Sequence, residues 1–420
     1  MRLIRNKFGR NTFLKSFSLL ASGSIIAQLI SIFTSPITTR LFTPEEFGIY
    51  TLVITAMSLF GPVICLKYDM AIVNSKNEIE SFTLIKISLF LCILLSIIFS
   101  LFFSFLFLSE DFSAPTLYIY TVFIFLLLML YGVNNILVSH NNRNSLYKLM
   151  TSVTILKSVT SNSFLIIGGL LNSGAMGLVL SQIIGSLVGV KRQSKDIIKN
   201  RRKFKGINTN QLIHVFIKYK DQPIYNATSA IIATSVYSSI TLFIKLIYTA
   251  EQLGLYSLSY RILGIPFSII SANIARVFFE SAVKSVKDNG DFKKLFIKTS
   301  TLLSLTIIPI ISFLALIAPW LFSFVFGQEW SEAGTYVRLL APMFAIRLIT
   351  ESLTTTFIVV GKQRYELVFQ IILLVGEIIA FSIAYFYDLP IETLLIMISI
   401  LYFLVYVFML NTMYKLSGNK

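Results

Sequence analysis

Thr43-Pro44-Glu45-Glu46-Phe47-Gly48-Ile49-Tyr50-Thr51-Leu52 returns as Thr249-Ala250-Glu251-Gln252-Leu253-Gly254-Leu255-Tyr256-Ser257-Leu258. Both stretches read T-x-E-x-x-G-x-Y-x-L, and the offset of 206 residues is close to half of the 420-residue chain. Each copy follows the first apolar run of its half and leads into the second. Local chemistry accounts for the residue types. The threonine caps the next helix, the acid in its first turn meets the positive end of the dipole, glycine admits a close helix neighbour, and tyrosine suits interface depth. The corresponding positions of the two copies point to a duplicated architecture rather than coincidence.

The rest of the chain agrees with two membrane-embedded halves. Hydrophobic residues make up 55% and charged residues 13%, about half the charge of a soluble domain, and mean hydropathy is +0.78. Apolar runs fall at 17–39, 48–67, 82–108, 116–138, 151–171, 174–190, 223–245, 255–277, 297–320, 336–360, 366–387 and 391–413. A helix needs about 20 apolar residues to cross a bilayer, so the expectation is an all-α polytopic membrane protein with twelve transmembrane helices. The fifth and eighth runs are the weakest, because Lys157 and Arg261 lie inside them. The expected organisation is a six-helix bundle over 1–200, a basic linker over 201–222 and a second six-helix bundle over 223–420. An even number of spans per half makes the halves parallel, related by an axis along the membrane normal, with a substrate site between them as in transporters built this way.

The net charge of +16 reads as topology. With the N-terminus inside, 31 of the 36 Lys and Arg fall on the cytoplasmic side, while Glu45, Glu46, Glu110, Asp111, Glu251, Glu329, Glu332, Asp388 and Glu392 fall on the other. Both termini are therefore expected in the cytoplasm. The central loop carries Lys191, Arg192, Lys195, Lys199, Arg201, Arg202, Lys203 and Lys205. These set orientation, and attraction to anionic inner-leaflet lipids is compatible with that. No aromatic-rich module accompanies the charge, so no nucleic-acid partner is expected.

Ser24, Gln28, Ser31, Ser35 and Thr38 line one face of the first span, and Ser257, Arg261, Gly264, Ser268 and Ser271 one face of the eighth. A polar cavity and packing by small residues both account for such stripes. Ser88, Cys92, Ser96 and Ser100 repeat the pattern in the third span without any charge. Charges discriminate better, because an ionisable group in hydrocarbon needs water or a partner. Arg261 has no acid on its own helix face. Arg347 and Glu351 stand i, i+4 and can pair, and Glu377 lies midway along the eleventh span. Pro36, Pro62, Pro266, Pro309 and Pro342 supply kinks or breaks. Cys65, Cys92, His140 and His214 form no ligand set, so neither metal nor cofactor is expected. No nucleotide-binding loop or catalytic triad is present, and the outward loops are short, which argues against an enzyme.

Arg40-Leu41-Phe42-Thr43-Pro44-Glu45-Glu46-Phe47-Gly48-Ile49-Tyr50 resembles the stretch after the first helix in bacterial polysaccharide transporters. These are the O-antigen repeat-unit flippases of the multidrug/oligosaccharidyl-lipid/polysaccharide exporter superfamily. Lys67-Tyr68-Asp69-Met70-Ala71-Ile72-Val73 resembles the next block of that family, with lysine where arginine is expected, and Phe278-Phe279-Glu280-Ser281-Ala282 is similar to the stretch after the eighth helix. The resemblance implies two six-helix bundles around a central cavity. It implies a flippase that moves an undecaprenyl-pyrophosphate-linked oligosaccharide from the inner to the outer leaflet of the bacterial cytoplasmic membrane by alternating access. Arg261, Arg347 and Lys67 are then the candidate substrate-binding cations, and Asp69, Glu351 and Glu377 the candidate coupling groups. Membrane lipids, a polysaccharide polymerase and a chain-length regulator are the implied partners. A cation-coupled multidrug exporter of the same superfamily is the alternative, and a membrane glycan polymerase a more distant one.

Overall fold

Hydrocarbon offers the backbone no hydrogen-bond partner, so a chain this apolar has to satisfy its N–H and C=O groups internally. The computed structural model describes residues 2–108, 112–200, 204 and 206–418, with the side chains of 2–18, 265–269 and 289 excepted. Glu110, Asp111, Arg201, Arg202, Lys203, Lys205, Lys420 and the side chains of Pro266, Ser268 and the N-terminal cations therefore lie outside the described residues. The helices are α1 (Arg2–Leu41), α2 (Pro44–Phe60), α3 (Tyr68–Ala71), α4 (Glu78–Phe107), α5 (Ala114–Arg143), α6 (Tyr147–Leu170), α7 (Gly174–Gln193), α8 (Lys195–Lys199), α9 (Thr209–Lys218), α10 (Thr228–Ile247), α11 (Ala250–Asn289), α12 (Lys293–Phe326), α13 (Ser331–Leu353), α14 (Thr355–Val359), α15 (Arg364–Phe386) and α16 (Ile391–Ser417).

Among the described residues ten helices are long and apolar enough to cross a membrane. The eighth and tenth expected spans lie in α11 and α13, the two further long helices. These are the helices that carry Arg261, Arg347 and Glu351. α11 runs for 40 residues, well past the expected span at 255–277, and ends at the Asn289-Gly290 turn. Gly290 there takes the left-handed conformation, φ 81°, that closes helices.

The chain folds as two compact units, one of Met1–Phe42 with Ile49–Thr234 and one of Thr43–Gly48 with Ser235–Lys420. In the first unit small residues bring helices together. A Cβ on Gly185 of α7 would lie 2.8 Å from the Ser161 side chain of α6. Ser88, Cys92, Ser96 and Ser100 of α4 are all buried, and Cys92 Sγ reaches the Met129 carbonyl of α5, so this stripe is a packing face. Cys65 and Cys92 are both free and converge on Gly132, where a Cβ would meet Cys92 Sγ at 2.4 Å and Cys65 Sγ at 3.3 Å. Part of the α1 stripe serves the same end, because Asn162 of α6 accepts from Thr34 at 2.5 Å and donates to Ser31 at 3.3 Å. Before α10 the segment Gln222–Ala227 is a π-helical turn containing Pro223, whose ring and missing N–H disrupt the α-helical ladder.

In the second unit the two copies of the repeat meet. Thr43 and Thr249 each accept from the backbone N–H three residues on, and the side chains of Glu46 and Gln252 return the bond to the threonine N–H. Both copies thus form the expected cap as a reciprocal box. The repeated glycines then cross. A Cβ on Gly48 would sit 1.8 Å from the Ala250 carbonyl oxygen, and one on Gly254 would sit 1.8 Å from the Pro44 carbonyl oxygen. Phe47 packs edge-on against buried Trp330 at 5.1 Å between ring centroids, and a Cβ on Gly334 would meet the Ala318 carbonyl oxygen at 2.5 Å. Backbone cannot give way as a flexible side chain does, so overpacking here should cost about 2 kcal/mol or more. Gly48→Ala or Gly254→Ala should therefore lower the thermal midpoint of the purified protein by several degrees. Gly206→Ala, which meets nothing within 4 Å, should leave it unchanged, and equal midpoints for all three would contradict the crossing.

Candidate functional site

A guanidinium packed among apolar helices cannot shed its charge, so its surroundings must supply partners for its fork of donors. Arg347 on α13 donates from Nε to Glu351 Oε1 at 2.7 Å and from Nη1 to the Tyr260 hydroxyl at 2.8 Å. Its guanidinium also lies over the Tyr237 ring, 4.0 Å from the centroid, a cation–π contact. The Tyr237 hydroxyl donates to Glu351 Oε1 at 3.1 Å and meets the Tyr406 hydroxyl at 3.3 Å. Four helices of the second unit, α10, α11, α13 and α16, therefore close around one ion pair. The i, i+4 spacing that brings Arg347 and Glu351 together was legible in the sequence, whereas the three tyrosines come from other helices and were not.

Glu377 on α15 is wholly buried, at 0% exposure, and accepts from Ser239 of α10 and Tyr402 of α16. Tyr402 and Tyr406 stand one turn apart on α16 with ring centroids 5.7 Å apart. The polar groups thus run from Glu377 through Tyr402 and Tyr406 to Tyr237, Glu351 and Arg347. A cleft of about 360 Å³ opens beside this array, and Tyr237, Glu351, Glu366 and Tyr406 line it. Carboxylates and phenols at such a wall suit a cation or proton and hydroxyl-bearing ligands.

Arg261 follows Tyr260 on α11 and is half-buried, with no hydrogen bond or ion pair to any described residue. Its neighbour Tyr260 is committed to Arg347, which leaves Arg261 as the open cation of this unit's expected set. Lys157 on α6 is a second half-buried cation without a bond to a described residue, and its only signal in the sequence was a weakened span.

Lys67 and Asp69 belong to the first unit. The apolar run ends in a 3-10 turn at Gly61–Val63, after which Leu66 and Lys67 both take positive φ, 47° and 62°. Two successive left-handed residues bearing side chains are strained, and the turn they make starts α3 with Asp69 inside it. Asp69 is 6% exposed, and burial pushes its carboxyl above the usual range, with the Lys67 charge opposing that shift. None of the other four expected site residues lies in this loop.

Two measurements check these assignments. Arg347→Met strands the Glu351 carboxylate among phenols; breaking a fully buried pair from one side costs about 3–5 kcal/mol, and this partly buried pair should cost less. Its thermal midpoint in detergent should fall well below that of the double variant with Glu351→Gln. If the two were equally stable, the pair would carry no coupling. For Asp69 the raised folded-state pKa means that the folded chain holds its proton more tightly than the unfolded one, so this group's contribution falls as pH rises through that pKa. Asp69→Asn should therefore gain stability over the parent at pH 8 and little below about pH 4, where an unfolded aspartate is itself protonated; a gain independent of pH would refute the burial cost.

The sequence profile of the family described as polysaccharide biosynthesis protein matches residues 37–335. Teichuronic acid biosynthesis protein TuaB of Bacillus subtilis (strain 168) is 28% identical over 120 residues, which are 29% of this chain and 24% of that protein. The chain thus aligns with about a quarter of this curated relative. A multidrug resistance MATE family transporter of the MOP superfamily, in its inward-facing conformation, superposes with a TM-score of 0.70 at 13% identity, covering 93% of this chain and 97% of that one. The lipid II flippase MurJ, in an inward closed conformation, superposes with a TM-score of 0.70 at 14% identity, covering 94% of this chain and 87% of that one. The fold is therefore that of multi-pass membrane transporters of the MOP superfamily. By its sequence match, the chain belongs to the polysaccharide biosynthesis protein family.

Proposed function

We propose that this protein flips an undecaprenyl-pyrophosphate-linked oligosaccharide, an O-antigen or similar repeat unit, from the inner to the outer leaflet of the bacterial cytoplasmic membrane. The observation that carries the reading is Arg261, a half-buried cation without a bond to any described residue, in a chain of the polysaccharide biosynthesis family. A pyrophosphate has charge and acceptors for such a group, and the lipid tail can stay in the bilayer throughout. In this reading α11 and α13 also cross the membrane, which makes twelve spans with both termini cytoplasmic. The bundles 1–200 and 223–420, joined by the linker 201–222, rock to give alternating access, and no bond is made or broken.

Arg261 is the first contact of the pyrophosphate. Arg347 joins it by exchanging Glu351 for phosphate oxygens, and Lys67 attracts the headgroup. Glu377, Glu351 and Asp69 are the coupling groups. A wholly buried carboxylate costs several kcal/mol while charged, so uptake of a proton or cation by Glu377 changes the energy of its surroundings. The polysaccharide polymerase and chain-length regulator would receive the flipped unit. One observation favours a second reading, a cation-coupled multidrug exporter: the cleft of the second unit is lined by two carboxylates, Glu351 and Glu366, which suit a cationic cargo.

Deletion of the gene, followed by analysis of lipid-linked saccharides, separates these readings. Single repeat units accumulating on the inner leaflet support the flippase, single units reaching the outer leaflet indicate a polymerase, and normal glycan with altered drug sensitivity indicates the exporter. Arg261→Ala should fail to restore surface glycan at equal protein level, and full restoration would remove Arg261 from the substrate path. Glu377→Gln should abolish the dependence of transport on the coupling gradient, and an unchanged dependence would place coupling elsewhere.

A further inference from the structure

The linker carries a short amphipathic helix with an exposed apolar stripe. α9 is ten residues long, and a reciprocal box between Asn208 and Gln211 closes its N-terminus. Its inner side is fastened to the first unit: Lys218 pairs with Glu80 in the first turns of α4, and the fully buried Tyr68 donates its hydroxyl to the Phe216 carbonyl at 3.0 Å. The Tyr68 and Phe216 rings stack at 5.1 Å. Val215 is buried, yet Ile213, Phe216 and Ile217 are 54%, 43% and 57% exposed. These three stand at i, i+3 and i+4, one stripe on one face.

Water is a poor neighbour for such a stripe, and its position names a better one. Glu80 opens a 30-residue apolar helix, so α9 is docked at the level where α4 enters hydrocarbon. Lys191, Arg192, Lys195, Lys199 and Lys220 are exposed on the same unit, against the exposed acids Glu78 and Asp221. An amphipathic helix with an apolar outer face lies in the plane of a membrane surface, its apolar side sunk about 5–10 Å into the headgroup boundary, and basic residues flanking it close to that plane are drawn to anionic lipid.

We propose that α9 is an interfacial helix that binds an anionic lipid surface through Ile213, Phe216 and Ile217 and the neighbouring cations. The lipid holds its outer face while Lys218 and Tyr68 hold its inner face, so anionic lipid clamps the linker onto the loop that bears Lys67 and Asp69. The anchor is independent of the cargo and stands or falls apart from the flippase reading.

An environment-sensitive fluorophore on Ile213→Cys in the full-length protein tests this, with unsubstituted protein as the background for buried Cys65 and Cys92. In phosphatidylglycerol-containing vesicles the emission should shift to the blue and be quenched by brominated lipids. Both effects should weaken in pure phosphatidylcholine vesicles and in a Lys199→Glu, Lys220→Glu variant. Aqueous emission without quenching in either vesicle type would overturn the proposal. Equal quenching in both would overturn its dependence on anionic lipid. A blue shift that persists in detergent with cross-linking between copies would assign the face to a second chain.

Discussion

The crossing of Gly48 and Gly254 is the constraint from which the second unit is built. With 1.8 Å between a notional Cβ and the facing carbonyl oxygen on each side, only glycine allows the two capped helix starts to approach so closely. α11 leaves this crossing and reaches Tyr260 and Arg261 within two turns, at 1.5 Å per residue. Phe47, next to Gly48, seats against Trp330 at the start of α13, the helix that carries Arg347 and Glu351. Ser259 of α11 donates to the Ala333 carbonyl of α13 at 2.7 Å and holds the two helices in register. The ion pair, the phenols around it and the open arginine are placed by a backbone contact well away from them.

The electrostatics follow from that placement. Hydrocarbon leaves a charge the choice of a partner or a wet cleft, and the second unit uses both. Arg347 receives a carboxylate, a hydroxyl and an aromatic face, whereas Arg261 on α11 receives none of these from a described residue. Among the described residues Glu377 is bonded through hydroxyls alone, without a cation. On the proposed function, one saturated ion pair beside an open cation and a buried acid would give an anionic cargo and a coupling proton or cation separate places.

Much of this was legible in the sequence because it depends on local spacing. The duplicated T-x-E-x-x-G motif announced the caps and the close approach, the i, i+4 spacing announced the Arg347–Glu351 pair, and the Asn289-Gly290 turn ends α11 as its composition implies. What was not legible depends on residues that meet across helices. Tyrosine in a membrane helix reads equally well as an interfacial anchor, so nothing marked Tyr237, Tyr260 and Tyr406 as the walls of one site, or Ser239 and Tyr402 as the partners of Glu377. Serine stripes were ambiguous for the same reason: the one on α4 proved to be packing against α5, and part of the one on α1 binds Asn162. The apolar face of α9 was hidden by its brevity, since ten residues among dense positive charge look like linker.

Reconstitution of the purified protein into vesicles, with lipid-linked oligosaccharide supplied on one leaflet, tests the central claim most directly. The readout is the fraction of oligosaccharide that becomes accessible to a glycosidase on the opposite side. The account predicts a time-dependent rise above protein-free vesicles that is lost with Arg261→Ala. No rise above protein-free vesicles, together with gradient-driven export of a cationic drug from the same preparation, would contradict it.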